Sequence, residues 1–263
     1  MTRDDALERI RAETFMLHEE CAERIDAFRW GRVFTNRTHR RIWDFNFARV
    51  EREVGGEEVD DLIADVDAAM AGLGHRQVWM ADDALGRKLG PLFSERGWKV
   101  ERHVVMQLLR DPDRRPDTSR VIRVDENLAW PAREEWLRSY EDLADDETMT
   151  QLLSQYRIVN ALRGGEDYGV VDDGKVVSFA LLRSHEAVAE VTDVATLEPY
   201  RKRGLARACV WRVVERAREL GDDVVFLVAD DQDWPKDLYS KLGFDAVAYQ
   251  HYFMRTGVDE PST

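Results

Sequence analysis

Arg201, Lys202, Arg203 and Gly204 stand together in the stretch TLEPYRKRGLARACVW, residues 196–211, where a β-forming run gives way to a helical repeat. The first amides of a helix have no intrahelical acceptor and lie at the positive end of its dipole. Three cations and a glycine at that point suit a phosphate or pyrophosphate, and the glycine lets the backbone approach it closely. Upstream lie two carboxylates, Glu190 and Asp193, and downstream a phenol, Tyr239. These are groups that can take or give a proton beside a bound phosphate ester.

The flanking pattern says what must hold them. In residues 188–197 the β-branched and apolar side chains Val188, Val191, Thr192, Val194, Thr196 and Leu197 suit a pleated strand, which Glu198-Pro199 closes. From Leu205 on, Cys209, Val213, Ala217 and Leu220 mark one face of a helix ending at Gly221. Strand alternation sends Glu190 and Asp193 to opposite faces unless a bulge intervenes. Asp172-Asp173-Gly174 reads as a tight hairpin turn between strands at 167–171 and 175–184.

Arg201, Gly204 and Ala206 match the Arg/Gln-x-x-Gly-x-Gly/Ala signature, and over residues 116–256 the order of elements resembles the GNAT acyltransferase family. The resemblance implies an α/β (α+β) GNAT fold, with a mixed central sheet and a splayed strand before the pyrophosphate loop. It implies acetyl-CoA as cosubstrate, its pantetheine arm along Val194, Ala195 and Thr196. The pyrophosphate would lie on Arg201, Lys202, Arg203, Gly204, Leu205, Ala206 and Arg207, although Arg207 also reads as a solvated helical arginine. Tyr239 falls where family members often protonate the departing thiolate. It reads otherwise as an aromatic core anchor. A phenol near pKa about 10 can serve a thiol near about 8.5. Glu190 matches the catalytic glutamate of histone-type members and is the first candidate base; Asp193 is the second, and either can be an ordinary strand carboxylate. Gln232 stands where many members carry an asparagine, leaving an amide available to the coenzyme.

A second reading of the chain concerns its halves. Residues 1–115 carry 20 basic and 23 acidic residues, net −3, and residues 116–263 carry 18 and 29, net −11, which fits two units. The boundary expected is DPDRRPDTS, residues 111–119, with a flexible tail at 257–263. VWMADDALGRKLGPLFSERGWKVERHVVM, from Val78, parallels VFLVADDQDWPKDLYSKLGFDAVAYQHYFM, from Val225. The expectation is two GNAT-like units in tandem, the first degenerate: at the place of the basic turn it has EREVGGEEVDD, residues 51–61, whose carboxylates would repel a pyrophosphate, and Phe93 replaces Tyr239.

Composition bounds the rest. The net charge of −14 argues against nucleic-acid or anionic-membrane partners. No run is long enough to span a bilayer and the charged start has no signal-peptide core, so the expected compartment is the cytoplasm. Cys21 and Cys209 read as buried free thiols, and the six histidines show no metal-ligand spacing, so no metal is expected. The acidic loop EDLADDE, residues 141–147, would favour a cationic acceptor. The expected activity is acetyl transfer to a primary amine of a small molecule or peptide, by a monomer or homodimer. The alternative is a catalytically silent acyl-CoA-binding or interaction module.

Overall fold

The computed structural model describes residues 2–140 and 145–258. In chain order its elements are α1 (Arg3–Cys21), β1 (Arg24–Phe28), β2 (Gly31–Thr35), β3 (Phe47–Val50), α2 (Val59–Ala69), β4 (His75–Met80), α3 (Asp83–Glu95) and β5 (Lys99–Leu108). Then come β6 (Val121–Val124), α4 (Glu126–Leu137), α5 (Asp146–Leu162), β7 (Glu166–Asp172), β8 (Lys175–His185), β9 (Val188–Thr196), α6 (Leu205–Leu220), β10 (Val224–Asp230), α7 (Pro235–Lys241) and β11 (Phe244–Thr256). This is a mixed α/β fold.

The elements form two compact units. Unit I comprises Thr14–Val105, Asp230–Asp233 and Ala248–Thr263; unit II comprises Met1–Glu13, Met106–Ala229 and Trp234–Val247. The chain thus passes between them within α1, β5, β10 and β11 and once more before α7, and residues 111–119 belong wholly to unit II. Residues 141–144 of the acidic loop and 259–263 of the expected tail lie outside the described residues.

In unit II, β6, β7, β8 and β9 pair antiparallel in order, and β10 adds parallel to β9. The hairpin between β7 and β8 turns through Asp173 and Gly174 at φ 46° and 76°, the left-handed pair that a two-residue turn requires. Helix α6 buries Ala208, Cys209, Val210, Trp211, Val213, Val214 and Ala217, and packs on β8 and β9. Leu220, expected on that buried stripe, is 45% exposed, because it stands in the last turn before Gly221 reverses the chain at φ 89°. On the other side, Ala129 and Ala132 of α4 pack with Phe179 and Ala195.

Unit I repeats the plan. β1, β2 and β3 form an antiparallel meander, β4 lies parallel to β3, and residues 251–256 of β11 pair antiparallel with β4. Its core joins Val59, Leu62 and Val66 of α2 to Leu89 and Phe93 of α3 and to Val78 and Phe253 of the sheet. α1 stops at Cys21, and residues 99–108 form a single strand, since KVERHVVMQL contains no turn-forming residue. Cys21 and Cys209 are buried free thiols. Among the described residues no helix is long and apolar enough to cross a membrane.

The internal parallel is visible in detail. Phe93 meets Trp98 edge-on at 5.1 Å and Tyr239 meets Phe244 edge-on at 6.4 Å, each pair closing a helix-to-strand turn. The turn glycines, Gly97 and Gly243, both take positive φ, 77° and 97°. Only Gly243 is crowded: a Cβ there would lie 2.1 Å from the Arg110 carbonyl oxygen.

Candidate functional site

The site begins where two parallel strands part. β9 and β10 are paired from Val188 with Val224 to Glu190 with Phe226. β9 continues six residues further, so its edge from Val191 to Thr196 is not paired with β10, as the expected splay requires. The opposite edge stays on β8, with one irregularity: Leu181 pairs with Thr192 and Phe179 with Ala195. Ala180 therefore opposes both Asp193 and Val194, which is a β-bulge, and Asp193 adopts φ 49°.

Beyond the splay the chain turns through a 3-10 segment at Glu198–Tyr200 into the basic loop. Lys202 and Gly204 both take left-handed φ, 63° and 78°. Such alternation turns successive amides toward one side of a loop, an anion-binding concavity. Gly204 caps α6; the first helical bond runs from the Ala208 amide to the Gly204 carbonyl at 3.2 Å, leaving the amides of Leu205, Ala206 and Arg207 without intrahelical acceptors. A Cβ on Gly204 would meet no atom within 4 Å, so glycine is needed there for its backbone conformation rather than for space.

The cations divide by engagement. Arg201 donates Nε–H to the Thr196 carbonyl at 3.1 Å, and Arg203 donates to the Pro199 carbonyl at 2.9 Å, both within the loop. Arg207 pairs with Asp113 at 2.5 Å and donates to the Arg114 carbonyl at 3.1 Å. Among the described residues Lys202 has no ion-pair partner, and its side chain lies on the exposed crest of the loop.

The two carboxylates are brought to one side of the sheet by the bulge. Glu190 lies opposite Arg183 in the ladder, 3.5 Å from its guanidinium, and Arg183 reaches Asn160 of α5. Asp193 accepts Nε–H from Arg133 of α4 at 3.0 Å. Tyr239 is buried on α7. Gln232 belongs to unit I, where its backbone N–H donates to the Asp230 carboxylate at 2.8 Å.

Arg133 escapes sequence reasoning. It is 2% exposed and donates to Asp193 and, at 2.8 Å, to Asp167 of β7. Its guanidinium also lies 4.4 Å from the Tyr156 ring and 5.1 Å from that of Phe179. Burial works to lower its pKa, but the two carboxylates outweigh burial and hold it above the ordinary arginine value. The Tyr156 hydroxyl donates to Asp167, and its pKa is raised by burial and then by that carboxylate. The only local sign is an arginine in register with the buried Ala129 and Ala132 of α4.

Beneath the strand, Ser178 Oγ bonds to the Ala195 carbonyl at 3.1 Å and to Thr196 Oγ1 at 2.8 Å, tying the end of β9 to β8. Cys209 lies against Ser178, and burial pushes its thiol up to about 11, which keeps it protonated and inert at neutral pH.

In unit I the corresponding helix start is filled by the chain's own carboxylates. A 3-10 turn, Gly56–Glu58, precedes α2; Glu58 accepts from the Gly55 amide at 2.9 Å, and Arg29 pairs with Glu58 and Asp61. An incoming anion would meet Glu57, Glu58, Asp60 and Asp61.

The model of the Acetyltransferase (GNAT) family matches residues 127–244, which contain the splay, the bulge, the loop and Tyr239. Over residues 127–244 the chain is thus similar to a GNAT domain. Over 83 residues the chain is 28% identical to an uncharacterized N-acetyltransferase, YvbK, of Bacillus subtilis, covering 31% of this chain and 54% of that one. The chain thus spans about half the length of that curated relative. A GCN5-related N-acetyltransferase from Kribbella flavida superposes with TM-score 0.65 at 18% identity, covering 97% of this chain and 95% of that one. A tandem GNAT protein from the clavulanic acid biosynthesis pathway superposes with TM-score 0.52 at 14% identity, covering 82% and 76%. At these identities the likeness is one of fold, and it extends over unit I as well as residues 127–244. Among the described residues no group of three or more His, Cys, Asp or Glu is placed to hold a metal ion.

Proposed function

We propose that this protein transfers the acetyl group of acetyl-CoA directly to a primary amine of a small molecule or peptide. The observation that carries the reading is one continuous feature: the unpaired edge of β9 from Val191 to Thr196 leads into a left-handed basic loop that caps α6. Pantetheine is an amide chain and can pair with a strand edge as another strand would. The pyrophosphate it leads to suits the amides of Leu205, Ala206 and Arg207 and the ammonium of Lys202. Arg201 and Arg203 brace the loop through their bonds to backbone carbonyls, adding positive potential without direct contact.

Glu190 takes the proton of the acceptor ammonium, directly or through water, because an amine near pKa about 10 must be neutral to attack the thioester. Tyr239 gives a proton to the departing thiolate.

Calorimetric titration with acetyl-CoA tests the loop, and thiol release with an amine panel tests the transfer. Binding without thiol release for any amine would favour a silent acyl-CoA-binding module, and no binding below millimolar concentration would refute both.

A further inference from the structure

Asp193 and Glu190 are both acidic, both on the strand that borders the acyl group, and both on the acceptor side, yet their surroundings differ. Glu190 sits 3.5 Å from Arg183, a partly exposed residue of the neighbouring strand. Asp193 is bound at 3.0 Å by Arg133, whose side chain is 2% exposed. The remaining groups around that cation are Asp167 on β7, at 2.8 Å, and Tyr156 on α5, which donates to Asp167 and lies under the guanidinium.

We propose that Arg133 is a positioning residue of the acetyl-transfer site, acting through Asp193 to fix the bulge of β9, and that Asp193 is therefore a backbone anchor rather than the base. This rests on the transferase reading of residues 127–244, but its first test does not.

Three features support it. Asp193 is the left-handed residue of the bulge, a conformation unfavourable for a side chain with a Cβ, so something must hold it. The bond from Arg133 is that constraint, and it is rigid: the guanidinium is held on two carboxylates and between the rings of Tyr156 and Phe179. The bulge in turn decides where the next three residues, Val194, Ala195 and Thr196, present their backbone groups on the unpaired edge. A proton taken by Asp193 would leave the buried guanidinium with Asp167 as its sole counter-charge. Glu190 faces the partly exposed Arg183 at the longer distance, 3.5 Å. Arg133 also keeps one buried nitrogen, Nη1, without a hydrogen-bond partner, so the cluster already holds more donors than acceptors and has none to spare if Asp193 leaves it.

Amide hydrogen exchange reads the strand without any substrate. Arg133→Met and Asp193→Asn should each accelerate exchange at residues 194–196 by about tenfold or more, with α6 residues 208–217 unchanged and Arg133→Lys intermediate. Should Arg133→Met fail to fold, Asp193→Asn and Arg133→Lys carry the same comparison. Unchanged exchange in Asp193→Asn, or acceleration spread evenly over unit II, would overturn the proposal. The second test is the pH profile of kcat/KM with an accepted amine. Asp193→Asn should lower kcat by about 100-fold through misplacement of the acyl group while keeping the acid limb, which Glu190→Gln should abolish. Arg133→Met in the Asp193→Asn background should then cost little more. Loss of the acid limb in Asp193→Asn would make Asp193 the base and overturn the proposal. If the wild-type protein consumes no acetyl-CoA, the transferase reading fails, and the exchange experiment still decides the role of Arg133.

Discussion

Gly204→Ala separates the loop's function from its stability, because the fold supplies its own control. Gly204 and Gly97 take nearly the same left-handed φ, 78° and 77°, and a Cβ at either would meet nothing within 4 Å. The steric environment therefore adds nothing at either position. What remains is the intrinsic cost of an L-residue in that conformation, about 1–2 kcal/mol, partly offset by about 0.4–1 kcal/mol from the less flexible unfolded chain. Both variants should lose about 1 kcal/mol in denaturant unfolding. They should differ in binding. Relaxation at Gly97 touches only a helix-to-strand turn of unit I, whereas relaxation at Gly204 rotates the amides that open α6. If the unliganded loop relaxes and acetyl-CoA must restore it, the strain so relieved, up to about 1–2 kcal/mol, appears instead as a Kd weaker by up to roughly 5- to 30-fold, with a correspondingly smaller loss in unfolding. Calorimetry should find this in Gly204→Ala and an unchanged Kd in Gly97→Ala. Equal Kd values in Gly204→Ala and wild type, or equal weakening in both variants, would refute the reasoning.

Other outcomes follow from the same geometry. Lys202→Glu reverses the loop's exposed charge and should weaken acetyl-CoA binding by roughly 5- to 30-fold, about 1 kcal/mol for each charge removed or added near the surface, shrinking in high salt; a salt-independent Kd would contradict it. Tyr239→Phe should lower kcat by about 100-fold with little change in acetyl-CoA Kd, measured by thiol release. Gly243→Ala should destabilise unit II by more than Gly204→Ala, since its Cβ would lie 2.1 Å from the Arg110 carbonyl oxygen, and thermal unfolding reads the difference. His18 of unit I has its pKa lowered to about 3 by burial and then by Arg49, and His75 is lowered to about 4 chiefly by burial. Both bind a proton more readily unfolded than folded, so the stability tied to their neutral forms is complete above about pH 6.5 and is lost as pH falls toward 4 and then 3. Denaturant unfolding of unit I should weaken between pH 6.5 and 5, before most carboxylates titrate; a flat profile there would show that these histidines are not buried neutral.

What could be read from the sequence was local. The strand, the loop and α6 follow one another within residues 188–221, so β-branched alternation, a basic glycine turn and a helical repeat were sufficient to place them. The same holds for the hairpin at Asp173 and Gly174, whose left-handed pair is written in the residue types. The Arg133 cluster was not legible, because its partners Asp167 and Asp193 stand 34 and 60 residues away and only the fold joins them. Nor was the bulge: a single extra residue opposite Ala180 leaves no compositional trace, yet it carries Glu190 and Asp193 to the same side. The two ends of α6 show the limit of periodicity in small. It marks Leu205 and Leu220 as equals of Cys209 and Val213, while the helix termini leave them partly or largely exposed.

The proposed reaction moves an acetyl group from acetyl-CoA to an amine. Incubation of the full chain with acetyl-CoA and a metabolite extract, followed by mass spectrometry, tests it most directly. The expected result is an amine that gains one acetyl group with wild-type protein, gains it much more slowly with Tyr239→Phe, and does not gain it without acetyl-CoA. No acetylated product with intact protein that binds acetyl-CoA would contradict the claim.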